Sequence, residues 1–187
     1  MNKKGLLIPI SAPSGTGKTT VCRELMQKSE DYVFSISCTT RQPRKNEKNG
    51  KDYYFISEAK FKSYIQEDKL AEWEQVFDNF YGTLKSTLED ALAQGQLMLL
   101  DIDVKGALNI KKLYPERSFT IFLEPPSLEE LKKRLTSRGT ENGETIKKRN
   151  LRINEEMKFR DHFDFTIIND DLEETVNKIH ETIKEKV

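Results

Sequence analysis

Apolar positions along the chain alternate between short clustered runs and longer stretches of helical period. Runs of apolar, β-branched or aromatic residues at Leu6–Ile10, Val33–Ile36, Tyr53–Ile56, Trp73–Phe77, Leu97–Ile102, Phe119–Leu123 and Phe165–Ile168 predict strands. Between them, Thr19–Lys28, Glu58–Glu67, Lys85–Gln94, Val104–Leu113, Leu128–Thr136, Glu144–Arg160 and Leu172–Lys186 predict helices. Local signals mark their ends: Ser57 is placed to cap one, Ser127-Leu128-Glu129-Glu130 reads as a capping box, and Gly95 and Pro115 follow two others. Strands alternating with helices predict an α/β fold, a parallel sheet covered by helices on both faces. Two regions break the rhythm. Residues 37–84 hold shorter, more polar strand candidates around one helix, the pattern of a small mixed α/β lobe inserted after the second main strand. Residues 138–150, with Gly139, Gly143 and a crowd of charges, read as a helical lid. The core is then 1–36, 85–137 and 151–187, within a single domain.

Composition narrows this picture. The 187 residues are 36% hydrophobic and 33% charged, a globular balance, and 31 basic against 31 acidic residues argue against broad nucleic-acid or anionic-membrane binding. Any anion site must be local. No apolar run approaches the roughly 20 residues of a membrane span, and the apolar stretch after Met1-Asn2-Lys3-Lys4 is too short for a signal peptide, so a cytoplasmic protein is expected. Cys22 and Cys38 read as reduced interior residues, and His162 and His180 as surface residues.

The sharpest chemical signal follows the first strand. Ala12-Pro13-Ser14-Gly15-Thr16-Gly17-Lys18-Thr19 matches the phosphate-loop pattern G-x-x-x-x-G-K-[ST], with Ala12 replacing the first Gly. Backbone N–H groups from Ser14 through Gly15, Thr16, Gly17, Lys18, Thr19 and Thr20 can bind the phosphates of ATP at a helix N-terminus, and the two glycines keep side chains away. Lys18 would reach the β and γ phosphates, and the Thr19 hydroxyl would take one position on Mg²⁺. This places the core among P-loop NTPase-type sheets. Pro9 is the discordant residue, because it lacks the N–H expected of a central strand. The run Leu97-Met98-Leu99-Leu100-Asp101 delivers a carboxylate to a strand end, either toward Mg²⁺ through water or as a helix cap; the second reading applies more strongly to Asp103.

A second constellation bears on the acceptor. In Ser37-Cys38-Thr39-Thr40-Arg41-Gln42-Pro43-Arg44, two arginines three residues apart can converge on one dianion, although a solvated basic loop is the alternative. Asp52-Tyr53-Tyr54-Phe55, Glu72-Trp73 and Asn79-Phe80-Tyr81-Gly82-Thr83 add hydroxyls, a carboxylate and aromatic rings to the same lobe. With Arg138-Gly139-Thr140-Glu141 further on, these motifs occur in order over nearly the whole chain, which resembles the guanylate kinase family.

That resemblance implies transfer of the ATP γ-phosphoryl group to GMP, and to dGMP as well, with Mg²⁺. It implies that Arg41, Arg44, Tyr53 and Tyr81 grip the GMP phosphate while Ser37, Glu72, Thr83 and Asp103 read guanine. Guanine offers N1–H and an exocyclic amine where adenine does not, so a carboxylate such as Glu72 rewards guanine and is left unpaired by adenine. Arg134, Arg138 and Arg149 would close on the moving phosphoryl group, Arg134 being equally readable as a helix-surface residue. Asn169 matches the position where the family's last strand meets adenine, or is a turn-forming residue. Lys105 stands where Gln is frequent. Two other readings keep part of this evidence: a P-loop kinase acting on a sugar phosphate, which has no use for a guanine reader, and a non-catalytic phosphopeptide-binding module, which has no use for Lys18 and Thr19. The last helix either packs on the core or pairs two subunits, which leaves a homo-oligomer open.

Overall fold

The computed structural model describes residues 4–187 apart from 77, 128, 130, 132–150 and 152. In chain order the elements are β1 (Leu6–Ser11), α1 (Lys18–Lys28), β2 (Tyr32–Phe34), β3 (Cys38–Thr39), β4 (Tyr54–Phe55), α2 (Glu58–Gln66), β5 (Leu70–Val76), β6 (Asn79–Leu84), α3 (Lys85–Ala93), β7 (Leu97–Asp101), α4 (Val104–Leu113), β8 (Ile121–Glu124), β9 (Phe165–Ile168) and a helix here called α5 (Leu172–Lys184).

Five strands form one parallel sheet in the order β2-β7-β1-β8-β9. Side chains alternate across it. Leu6, Ile8, Ile10, Leu97, Leu99, Ile121 and Leu123 pack against α1 and α5, whereas Leu7, Met98, Leu100 and Phe122 pack against α3 and α4. On α5 the buried stripe is Val176, Ile179 and Ile183, so this helix packs on the core beside Val21, Cys22 and Leu25 of α1. Each Leu or Ile closed off in this way contributes about 1.5–3 kcal/mol of transfer free energy. Among the described residues no helix is long and apolar enough to cross a membrane.

Pro9 is accommodated by an interruption on one side of β1. The Leu7 N–H donates to the Arg117 carbonyl at 2.9 Å and the Leu7 carbonyl accepts from Phe119 N–H at 2.8 Å, so Leu7, and by alternation Pro9, direct their backbones toward the β8 side. Pairing with β7 runs unbroken through Pro9↔Leu100. On the other side it lapses between the isolated Leu7↔Ser118 bridge and the Ile10↔Ile121 pair, where Pro9 has no proton to give. The same gap explains why β8 begins at Ile121 and not at the expected Phe119.

The segment between β2 and α3 forms a second, mixed sheet in the order β4-β3-β6-β5, with β3 and β4 parallel and the β3–β6 and β5–β6 pairs antiparallel. Its small core is Cys38, Phe61 and Leu70, with Ile56 and Phe80 packed alongside. Ser57 caps α2 as expected, its hydroxyl accepting from Lys60 N–H at 3.2 Å. Gly82 is where β6 passes under β5: a Cβ there would lie 2.9 Å from the Glu72 carbonyl and 3.1 Å from Phe61. β5 also reaches the main core, because Ala71 packs in the cluster that contains Val104 and Ala107 of α4. One sequence reading is corrected here: His180 is half-buried, and its Nδ1 lies 2.9 Å from the Tyr32 hydroxyl. His162 is exposed, as expected.

Candidate active site

The donor side is built at the C-terminal end of β1, where the chain leaves the sheet through 12–17 and enters α1. Gly15 and Gly17 have φ of 93° and 103°, backbone that only glycine adopts freely. A Cβ on Gly17 would also meet the Asn169 amide at 3.0 Å. Thr16 folds the loop on itself, its N–H and hydroxyl both donating to the Pro13 carbonyl, at 3.2 and 2.8 Å. The Thr16 carbonyl in turn accepts from Asn169 Nδ2 at 2.7 Å. These bonds turn loop carbonyls toward protein partners and leave N–H groups at the N-terminus of α1, where an anion gains from both hydrogen bonds and the helix dipole. Asn169 is therefore more than a turn residue: its amide nitrogen holds the phosphate loop through one of its two protons.

Asp101, at the end of β7, stands opposite the first turn of α1. Its Oδ2 accepts from the Thr19 hydroxyl at 2.6 Å, and its Oδ1 lies 3.4 Å from Lys18 Nζ, which also donates to the Ile102 carbonyl at 3.2 Å. A carboxylate and a hydroxyl side by side are hard oxygen donors of the kind Mg²⁺ takes. Among the described residues there is no group of three His, Cys, Asp or Glu able to hold a metal alone.

Across the cavity lies the polar face of the inserted sheet. The Arg41 guanidinium is held by Glu47, Nη1 to Oε2 at 3.0 Å and Nη2 to Oε1 at 2.9 Å, and Nη1 also donates to the Gln42 carbonyl at 2.7 Å. It sits 5.6 Å from the centroid of Tyr53 and 5.8 Å from that of Phe55, and the Tyr53 ring meets Tyr81 edge-on at 6.0 Å. Arg44 has an exposed side chain, while its backbone N–H donates to Glu47 Oε2 at 2.8 Å.

The deeper part of the lobe is a hydroxyl–carboxylate chain. Thr83 donates its only hydroxyl proton to Glu72 Oε1 at 2.6 Å, so at the 3.3 Å contact between Ser37 and Thr83 it is Ser37 that donates. Glu72 is 7% exposed. Burial pushes its carboxyl up to about 7, with the nearby Asp103 carboxylate adding to the rise and the Thr83 bonds opposing it. Asp103 caps α4 by accepting from Gly106 N–H at 2.6 Å, so the capping role anticipated for it is present at the edge of the pocket. Gly106 makes this crowding feasible: a Cβ there would lie 2.8 Å from Glu72 Oε2 and 3.0 Å from Asp103 Oδ1.

Both sides open into one cavity of about 230 Å³, lined by Lys18 and Asp101 from the donor side and by Ser37, Tyr53, Glu72 and Tyr81 from the other. Lys105 is exposed and lines a neighbouring cavity of about 270 Å³ together with Asp103 and Glu74. Arg134, Arg138 and Arg149 lie outside the described residues, as does the whole segment expected to form the lid. Sequence reasoning overlooked Glu47; an acid six residues after Arg41 and three after Arg44 was the available signal. Gly106 was also missed, and its position in the first turn of α4 gives no hint of a carboxylate arriving from another strand.

A phosphate loop on the central strand, facing across a shared cavity an inserted lobe with an arginine cluster and a buried hydroxyl–carboxylate chain, defines a P-loop phosphotransferase. Comparison with known proteins narrows the class. The family model described as guanylate kinase matches residues 4–186. A guanylate kinase from Caldanaerobacter subterraneus subsp. tengcongensis is 46% identical over 183 residues, covering 98% of this chain and 88% of that protein. One from Clostridium acetobutylicum is 45% identical, covering 98% of this chain and 87% of its own. The crystal structure of guanylate kinase from Anaplasma phagocytophilum superposes with a TM-score of 0.80 at 32% identity, over 98% of this chain and 87% of that one. The chain belongs to the guanylate kinase family, whose members are nucleoside monophosphate kinases.

Proposed function

We propose that this chain transfers the γ-phosphoryl group of ATP to GMP within the cavity shared by Lys18 and Glu72. The carrying observation is that phosphate-loop and base-reading side chains line the same 230 Å³ space, so donor and acceptor can meet without crossing solvent. On the donor side, Ser14 to Thr20 cradle the ATP phosphates, and Lys18 exchanges its Asp101 contact for phosphate oxygens. Thr19 directly and Asp101 through water would hold Mg²⁺, which when bound offsets charge on the phosphates. Asn169 acts by fixing the loop, and Ile168, exposed beside it, offers apolar surface for adenine.

On the acceptor side Arg41, Arg44, Tyr53 and Tyr81 take the GMP phosphate. Glu72 in its ionised form accepts from guanine N1–H or the exocyclic amine, and Ser37, whose proton is committed to Thr83, presents lone pairs to the same donors. Thr83 holds the Glu72 carboxylate in place, and Asp103 adds a second acceptor at the rim. The guanine-reading chain supports GMP and dGMP over AMP, because adenine would leave these buried acceptors unpaired.

Residues 37–84 act as the acceptor lobe, and 138–150 as a lid carrying Arg138 and Arg149, with Arg134 in the helix before it, onto the transferring group. Partners are the two nucleotides, with no role for nucleic acid or membrane, in line with the balanced 31 and 31 charges. Two buried free thiols, Cys22 and Cys38, accord with a reducing, cytoplasmic setting. A homo-oligomer would have to use a surface other than the α5 stripe, which the core occupies.

A coupled assay of ADP release tests this reading, with ATP against GMP, dGMP, AMP, CMP, UMP and a ribose phosphate, with and without excess EDTA. Turnover of GMP and dGMP alone, abolished by EDTA, is expected. Turnover of the sugar phosphate alone, or GMP binding without turnover, refutes it.

A further inference from the structure

Glu47 touches neither the Lys18–Asp101 pair nor the Glu72 chain, yet its carboxylate joins the two arginine positions. One oxygen accepts from Arg41 Nη2, and the other accepts both from Arg41 Nη1 and from the Arg44 backbone N–H, at 2.9, 3.0 and 2.8 Å. Both side chains of the pair are largely shielded, Arg41 at 16% and Glu47 at 17% exposure. A guanidinium has five N–H donors in a rigid plane. Gln42 and Glu47 take three of those on Arg41: both protons of Nη1, one by each, and the Nη2 proton that faces Nη1. The Nε proton and the second Nη2 proton are parallel on the opposite edge, the one Glu47 does not occupy, with the Tyr81 phenol as a further partner of the guanidinium. That edge is the fork that grips two oxygens of a phosphate. The Tyr53 and Phe55 rings fix the plane from its face, and the Tyr81 phenol lies beside the guanidinium.

We infer that Glu47 is the positioning residue of the acceptor's phosphate site: by occupying the far fork of Arg41 and the backbone of Arg44, it presents the Nε–Nη2 edge of Arg41 to the incoming monophosphate. The inference rests on the proposed assignment of Arg41 to the GMP phosphate. A negative charge so close to an anion site would weaken binding if it acted through its field alone. Its two bonds to Arg41 make it a lever on guanidinium orientation, and a neutral Gln cannot satisfy two donors at once with two acceptor oxygens. The bonds from Arg41, and after them the one from the Arg44 backbone, also hold the Glu47 carboxyl below its ordinary range.

The test compares Glu47→Gln, Glu47→Asp, Arg41→Ala and the double variant Glu47→Gln/Arg41→Ala by steady-state kinetics, with guanosine as a phosphate-free competitor of GMP. Glu47→Gln should raise the KM for GMP by about 10-fold to 100-fold, the scale set by misplacing a binding group by an ångström, and leave the KM for ATP and guanosine inhibition within about twofold. Glu47→Asp keeps the charge but shortens the reach, and should fall between. The double variant should be no worse than Arg41→Ala alone, because Glu47 acts through Arg41. Multiplying losses overturn the inference, as does a lower GMP KM in Glu47→Gln, which would make the carboxylate a competitor of the phosphate. Equal weakening of guanosine would reduce Glu47 to a structural role and also overturn it. Arg41→Ala with unchanged GMP KM would instead overturn the assignment of Arg41 beneath it.

Discussion

Glu72 carries opposed demands that a single substitution separates. Burial raises its carboxyl from an ordinary 4.5 to about 7, so the native protein binds this proton more tightly than the unfolded chain does. The native state is therefore favoured by Glu72 protonation below about pH 4.5, and that contribution is lost as pH rises through 7. A shift of this size corresponds to about 3 kcal/mol at about 1.4 kcal/mol per unit. Glu72→Gln keeps an oxygen for the Thr83 hydroxyl and never charges. Its stability relative to wild type should be least at pH 4.5 and rise by about 3 kcal/mol at pH 8, or roughly 6–12 °C in melting temperature for a chain of this size. GMP turnover should fall in the same variant, and selectivity over AMP should erode. The assay is urea or thermal unfolding of both proteins across pH 4.5–8, with only their difference being read. A difference flat with pH would refute the buried-carboxylate argument, and unchanged selectivity would refute the guanine assignment.

Two further substitutions probe the site from its other sides. Lys18→Ala should abolish turnover while GMP binding, measured by calorimetry, stays within about threefold, since the bonds of Lys18 go to Asp101 and Ile102 on the donor side. Equal loss of both would contradict separate donor and acceptor sites. Gly106→Ala places a methyl within 2.8 Å of Glu72 Oε2 and 3.0 Å of Asp103 Oδ1, and should raise the GMP KM about tenfold with little effect on the KM for ATP. A wild-type GMP KM would mean the two carboxylates can shift freely.

Legibility in the sequence followed the range of the forces involved. The phosphate loop was readable because every feature it needs is local, from the apolar strand before it to the glycines with positive φ inside it. Helix α4 was found with both boundaries, because a hydrophobic period, an acid at its start and Pro115 beyond its end all agree. In the inserted lobe the expected Trp73–Phe77 strand is in fact Leu70–Val76, and β6 was seen only as a motif. There polar residues and a register shift between Leu70 and Glu72 blur the alternation, and cross-strand bonds such as Thr39 hydroxyl to Phe80 carbonyl at 2.9 Å help decide the pairing. The helix expected over Glu144–Arg160 ends early among the described residues, its last three residues' worth of period giving way to a 3-10 turn at Arg160–His162. His180 was misjudged because its charged neighbours in sequence say nothing of Tyr32, which meets it from another element.

The bond from Asn169 to the Thr16 carbonyl spans 153 residues of chain. During synthesis the phosphate loop emerges well before the residue that props it, which directly follows the last strand of the sheet. A nascent chain halted before Asn169 would display the whole sequence signature of an ATP site without the brace that shapes it. A ligand bound to the braced loop would therefore stabilise chains that carry Asn169 over those cut before it.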